Sequence, residues 1–126
     1  MYTKLLLLAA AGAMGTLARY GAGVYIQKTW PGSLSLWPTV FVNMAGCLMF
    51  GIVFGLVVEK WGWDGNAKAV LLTGFMGAFT TFSTFAFDTT ALLRESQYIL
   101  ATLNVVGQNI AGVAILFLGL ALGRLL

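Results

Sequence analysis

The chain has 126 residues, of which 60% are hydrophobic and only 9% are charged, and its formal net charge is +3. This composition excludes an ordinary soluble domain, since too little polar surface is available to face water on all sides. The thinly spread positive charge also excludes a nucleic-acid partner, which needs a basic patch or stripe, and favours anionic lipid head groups.

A transmembrane helix needs about 20 apolar residues, at about 1.5 Å each, to cross about 30 Å of hydrocarbon. Four segments are long enough, and they lie at about residues 5–26, 37–58, 67–92 and 98–125. No linker between them is long enough to separate domains. The sequence therefore predicts an all-α membrane protein with a single transmembrane domain over residues 1–126.

The first predicted helix raises two questions. Its opening residues, Met1 to Ala11, also fit a signal peptide, with a basic start, an apolar stretch and small residues. Cleavage there would leave a truncated helix followed by three further spans, so a span is the better interpretation. In its second half, Arg19 can snorkel to the interface, pair with an acid, or bind an anion in a water-filled vestibule.

The second predicted helix carries Asn43 in its first third, with Thr39 one turn earlier on the same face. Polar side chains inside a span are costly and so are candidates for function. An amide at this depth can bridge helices or donate a hydrogen bond to a permeating anion, and the sequence leaves both possibilities open.

The third predicted helix contains an unusual central stretch, Thr73 to Phe85, with four hydroxyl side chains between residues 80 and 84 and two glycines. Gly77 lowers the cost of leaving helical geometry, and hydroxyls can bind the backbone groups that a break sets free. Breaks at membrane depth are tolerated where the freed groups line a cavity or bind an ion. We predict a helix broken at its centre, whose freed carbonyls would suit a small hard cation such as sodium.

Phe82 and Phe85 follow this predicted break. They are three residues apart, so both rings face one way in a resumed helix. An aromatic edge is weakly positive and can contact an anion without neutralising its charge. Ordinary packing of the two rings is the alternative.

The fourth predicted helix carries Asn104 and Gln108 four residues apart, with Asn109 beside them. This polar stripe can hold helices together or form part of a permeation path. Small residues spaced four apart, at Gly51 and Gly55 and at Gly119 and Gly123, indicate close helix packing.

The charges give only a weak orientation signal. Four spans place both termini on one side with Lys4, Lys60, Lys68 and Arg124, against Lys28 and Arg94 on the other, where Arg19 also lies closer. Insertion in both orientations is therefore expected, and it would permit an antiparallel, dual-topology homodimer.

Taken together, these residues resemble the Fluc fluoride channels, also called the CrcB family. The specific part is Thr73-Gly74-Phe75, Gly77 and the run Thr80-Thr81-Phe82-Ser83-Thr84-Phe85. Supporting parts, spread over the whole chain, are the Gly- and Arg-bearing first helix and Pro38-Thr39 with Asn43.

The resemblance implies a passive, fluoride-selective channel in the inner (plasma) membrane that relieves fluoride toxicity. It further implies two pores per antiparallel homodimer and a central structural sodium ion on the main-chain carbonyls of Gly77 and Thr80. Pore or fluoride-contact roles fall by the same resemblance on Asn43, Phe82, Phe85, Arg19, Thr39 and Gln108.

Some positions depart from the family pattern. Ala78 stands where a second glycine is usual, and Asp88 where a glutamate is common. In the fourth helix, Asn104, Gln108 and Gly112 replace the usual aromatic and small hydroxyl residues. Gln108 can still supply a donor.

Other functions fit less well. A small multidrug-resistance-type, proton-coupled exporter shares the length and the four spans, but it needs a carboxylate deep in the membrane, generally in the first helix, where this chain has none. A purely structural subunit leaves the hydroxyl-rich break without a purpose. No nucleophile and base pair or metal set can be assembled, so an enzyme is not expected.

Overall fold

The computed structural model describes residues 2–32, 36–63 and 65–126, and these are all helical apart from short connections. Helix α1 is Tyr2–Thr29. Helix α2 begins as Trp37–Val53 and continues as π-helical turns over Phe54–Lys60. The third span consists of α3, from Gly65 to Phe79 with π-helical turns over Ala69–Met76, and α4, Phe82–Arg94. Helix α5 is Tyr98–Leu125.

Four spans within the described residues are long and apolar enough to cross a membrane: Tyr2–Thr29, Trp37–Lys60, Gly65–Arg94 and Tyr98–Leu125. The prediction of four transmembrane helices in an all-α protein is therefore confirmed. The first three spans are somewhat longer than expected, because helical turns continue past the apolar segments and take up polar residues such as Lys28 and Lys60 at the membrane surfaces.

The predicted break in the third span is confirmed, and it falls between Phe79 and Phe82. Thr80 (φ −79°, ψ 158°) and Thr81 (φ −147°, ψ 117°) are both extended. Two extended residues interrupt the helical hydrogen-bond ladder and separate α3 from α4. The chain thus carries irregular backbone in the middle of a span, where lipid supplies no hydrogen-bond partners.

Glycines allow two pairs of helices to approach backbone to backbone. On the α2 and α5 interface, a Cβ atom at Gly51 would collide with the Leu116 carbonyl oxygen, and one at Gly119 would collide with the Leu48 carbonyl oxygen. On the α1 and α3 interface, a Cβ atom at Gly15 would collide with the backbone of Phe75. The small residues predicted to serve packing therefore do so within the single chain.

An ion pair joins the ends of α2 and α5. Arg124 Nε lies 2.5 Å from Glu59 Oε2, and Arg124 Nη2 donates to Glu59 Oε1 at 3.1 Å. Helix α2 is the most buried of the four spans, and it packs chiefly against α5. Helix α2 is therefore the central helix, and the break in the third span contacts it.

Candidate permeation site at the helix break

An open groove of about 310 Å³ lies beside the break. Its walls come from α2, from the break and first turn of α4, and from α5. Five of the eight residues predicted from sequence line it, namely Asn43, Thr80, Phe82, Phe85 and Gln108. The remaining predicted residues, Arg19, Thr39 and Gly77, lie outside its lining.

The break ends in a well-formed helix cap. Thr81 is extended and its hydroxyl oxygen accepts a hydrogen bond from the backbone N–H of Thr84 at 3.2 Å. A threonine in this position binds one of the N–H groups that the first turn of a helix leaves unpaired. The threonine-rich sequence therefore restarts a helix two residues after the previous one ends.

Asn43 on α2 binds both backbone groups of Thr81. Its Oδ1 accepts from the Thr81 N–H at 2.9 Å, and its Nδ2 donates to the Thr81 carbonyl at 3.2 Å. A side-chain amide has the same donor and acceptor as a peptide group, so it replaces the partners that Thr81 lost when the helix broke. This position of Asn43 is a bridge between helices, one of the two possibilities left open by the sequence.

These hydrogen bonds leave two backbone carbonyls at the break without a backbone donor among the described residues. In a continuous helix the N–H of Thr81 would donate to the Gly77 carbonyl, and the N–H of Thr84 would donate to the Thr80 carbonyl. Here the first donates to Asn43 and the second to the Thr81 hydroxyl. Gly77 and Thr80 are the two residues whose carbonyls were expected to bind a cation.

The two aromatic rings lie on the first turn of α4. Their centroids are 5.5 Å apart with an interplanar angle of 43°, and both rings line the groove. Phe82 is 79% exposed within the single chain, so little of its ring is used for packing inside the subunit. The expectation that both rings face one way is confirmed.

Gln108 connects Asn43 to a second pair of polar residues. The Nδ2 of Asn43 donates to Gln108 Oε1 at 3.3 Å, and Gln108 Nε2 donates to Asn104 Oδ1 at 2.6 Å. Asn104 Nδ2 in turn donates to the Thr89 hydroxyl at 2.9 Å. The polar stripe of α5 is thus bound to α2 and to α4 at once.

Thr39 and Asp88 form a separate pair between α2 and α4. The Thr39 hydroxyl donates to Asp88 Oδ2 at 2.6 Å, and Thr39 is buried. Arg19 lies on α1 and, among the described residues, has no hydrogen bond or ion pair. The structure therefore does not bring Thr39 or Arg19 to the groove within one subunit.

Several further lining residues were not predicted from the sequence. Met44 and Cys47 line the groove on α2, and Gly46 lets the break approach, because a Cβ atom there would collide with the Thr80 side chain. The helical spacing of Gly46 and Cys47, three and four residues after Asn43, is the only signal that would have placed them on the same face.

Comparison with known proteins identifies the family of this chain. The family described as "CrcB-like protein, Camphor Resistance (CrcB)" matches residues 6–120. A protein named "Fluoride-specific ion channel FluC" from Nitratidesulfovibrio vulgaris (strain DSM 19637 / Miyazaki F) is 48% identical over 97% of this chain and 98% of its own length. Proteins with the same name from Maridesulfovibrio salexigens (46% identical; 98% of this chain, 97% of theirs) and Nitrosococcus oceani (42% identical; all of both chains) are also similar. The chain belongs to the CrcB family.

Proposed function

We propose that this protein is a passive, fluoride-selective ion channel of the inner (plasma) membrane that relieves fluoride toxicity by letting the ion leave the cell. The observation that carries the proposal is the groove at the helix break, lined by Asn43, Phe82, Phe85 and Gln108. The names of the relatives, which are fluoride-specific ion channels, support the choice of ion.

The break presents opposite partial charges on its two sides. Helix α3 ends there, with free carbonyls at its negative end, and α4 begins there, at its positive end. An anion is favoured near the start of α4, where Phe82 and Phe85 add their ring edges. None of these groups carries a full charge, so an anion can be held without being trapped.

The carbonyls left without a backbone donor at the break support a proposed structural sodium ion. Gly77 and Thr80 of one chain would supply two carbonyl oxygens, and a two-fold-related copy would supply two more. Hard oxygen ligands of this kind suit a small alkali cation. Such a site would hold two broken helices together at the centre of a dimer, and no step of permeation is assigned to it.

The assembly that we propose is an antiparallel, dual-topology homodimer with two pores. Large apolar side chains cover the outer faces of the helices, and lipid and a second copy are the partners that would bury them. In this assembly Arg19 and Thr39, which lie away from the groove of their own subunit, would contribute to a vestibule and to the pore wall.

The proton-coupled exporter is not favoured. Helix α1 contains no Asp or Glu, Glu59 is paired with Arg124 at a helix end, and Asp88 accepts a hydrogen bond from Thr39. No described carboxylate lines the groove. These observations fit facilitated diffusion better. Such a path needs no side chain that carries protons and no reaction on the transported ion.

Efflux from liposomes tests the proposal. Purified protein is reconstituted into liposomes loaded with potassium fluoride or potassium chloride, valinomycin sets the potassium flux, and ion-selective electrodes record the release. We expect rapid fluoride release and negligible chloride release. An absence of fluoride release, or release only when a proton gradient is imposed, would refute the channel.

A further inference from the structure

Asn104 is a buried amide in the second turn of the apolar helix α5. Only 5% of its surface is exposed, and it does not line the groove. Burying an amide is costly unless its polar atoms are paired, and lipid offers no partners. Both ends of this side chain are paired, one with Gln108 and the other with Thr89.

The hydrogen bonds around Asn104 belong to a longer relay in which every donor points the same way. At one end the Thr81 N–H can only donate, and at the other end the Phe85 carbonyl can only accept. Turning over any amide between them would place two donors or two acceptors face to face. In order of donation the relay is Thr81 N–H, Asn43, Gln108, Asn104, the Thr89 hydroxyl and the Phe85 carbonyl, which accepts at 2.8 Å.

The direction of these hydrogen bonds determines which side-chain amide keeps an N–H group without an acceptor. Both N–H groups of Asn43 are used, one by Thr81 and one by Gln108. Gln108 Nε2 uses one N–H on Asn104, and its second N–H has no partner among the described residues. Gln108 lines the groove. The relay therefore leaves an unused N–H on Gln108, a residue that lines the same groove as Phe82 and Phe85.

We propose that Asn104 and Thr89 are positioning residues, which hold the Gln108 carboxamide so that it offers an N–H, and not its carbonyl oxygen, to an anion in the groove. This inference rests on the proposed function, and it adds two residues that do not touch the groove. If Thr89 lost its hydroxyl, Asn104 would lose its acceptor. The orientation of Gln108 would then be held from one side only.

Thr89→Val removes the hydroxyl with little change in shape. We expect the fluoride concentration that gives half-maximal efflux to rise by about fivefold, the factor corresponding to one lost neutral hydrogen bond, and the fluoride-to-chloride ratio to fall. Thr89→Ser, which keeps the hydroxyl, should restore both. Thr90→Val is the matched control, because Thr90 is exposed and its hydroxyl binds only the Ala86 carbonyl of its own helix.

Asn104→Leu provides a second variant that replaces the buried amide by an apolar group of similar size and leaves no unpaired atom at that position. It should shift the half-maximal fluoride concentration in the same direction as Thr89→Val. A dimer that folds normally but shows wild-type fluoride dependence and selectivity in both variants would overturn the positioning role.

Side-chain amide signals of the protein labelled with ¹⁵N-glutamine give a readout that a loss of stability alone would not move. The chain has three glutamines, and Gln27 and Gln97 lie away from the groove. We expect fluoride, but not chloride, to shift the Gln108 signal, and Thr89→Val to weaken that shift. Normal wild-type flux with no fluoride-dependent Gln108 shift would overturn this inference alone, whereas absence of flux in the wild type would overturn the proposed function first.

Discussion

At the scale of single residues, one side-chain amide replaces the backbone hydrogen bonds that Thr81 would make in a continuous helix. Asn43 binds the N–H and the carbonyl of Thr81, so the break has no need of water at that residue. A backbone group left unpaired in the membrane interior is costly. Because the Thr81 N–H donates to Asn43, it does not pair with the Gly77 carbonyl. One side chain thus stabilises the break and leaves a backbone acceptor beside it.

Asn43→Leu removes both hydrogen bonds to Thr81. We expect the free energy of unfolding to fall by about 1–3 kcal/mol for each part-buried backbone group that loses its partner. The fall should appear as a lower midpoint in thermal unfolding in detergent. Asn109→Leu is the control, because Asn109 is exposed and binds only the Val105 carbonyl of its own helix. Equal midpoints for the two variants would contradict the bridging role of Asn43.

Phe82→Ile or Phe85→Ile replaces an aromatic edge in the groove by an aliphatic side chain. An aromatic edge contact is worth about 1 kcal/mol, so we expect fluoride efflux to fall by about fivefold or more in each variant, with the oligomer intact on size-exclusion chromatography. Phe87→Ile, on the same helix, changes a ring that does not line the groove and should leave the flux unchanged. Unaltered flux in both groove variants would remove the pore-lining role.

At the scale of helices, close backbone contact between α2 and α5 sets the distance between these two walls of the groove. Gly51 and Gly119 face each other's helix so closely that a methyl group on either would meet a carbonyl oxygen. Apolar burial contributes little between helices in lipid, and close packing of small residues takes its place. The width of the groove therefore depends on Gly51 and Gly119, which lie elsewhere in the same interface and do not line the groove.

Gly119→Ala tests this dependence. The added methyl group would push α5 away from the Leu48 carbonyl, and overpacking of this kind costs about 1–3 kcal/mol. We expect lower thermal stability and reduced flux. Gly107→Ala lies on the same helix with open space around it and should be tolerated. A Gly119→Ala protein as stable as Gly107→Ala would show that α2 and α5 are not in backbone contact.

At the scale of the whole molecule, a single subunit exposes much of its apolar surface, including 79% of Phe82. In the dimer that we propose, a second copy would cover part of this surface, and the carbonyls of Gly77 and Thr80 would supply half of a four-oxygen cation site. The weak charge difference between the two sides of the membrane would let these copies insert in opposite directions.

Dual insertion is tested by reporters at the C-terminus, one active only inside the cell and one only outside. We expect both reporters to be active on the wild-type chain. Gly65→Arg, which adds a positive charge on the side of the termini, should bias insertion toward one orientation. If every wild-type copy faced one way, the antiparallel dimer would be excluded.

The four spans can be predicted from the amino-acid sequence alone, because the number of consecutive apolar residues needed to cross a bilayer is a local property. It also located the break, since glycine and a run of hydroxyl residues favour an interruption and a new helix cap at the same place. The rings of Phe82 and Phe85 share a face for an equally local reason, their spacing on one helical turn.

The hydrogen-bond partners of the polar side chains depend on how the helices pack. Thr39 and Asn43 are one turn apart on α2, yet the first binds Asp88 and the second binds the break and Gln108. No spacing along the chain predicts this, because the partners are 49, 38 and 65 residues away. The direction of the amide relay follows from the same packing: it is set where three helices meet, by the one backbone N–H that the break leaves to Asn43.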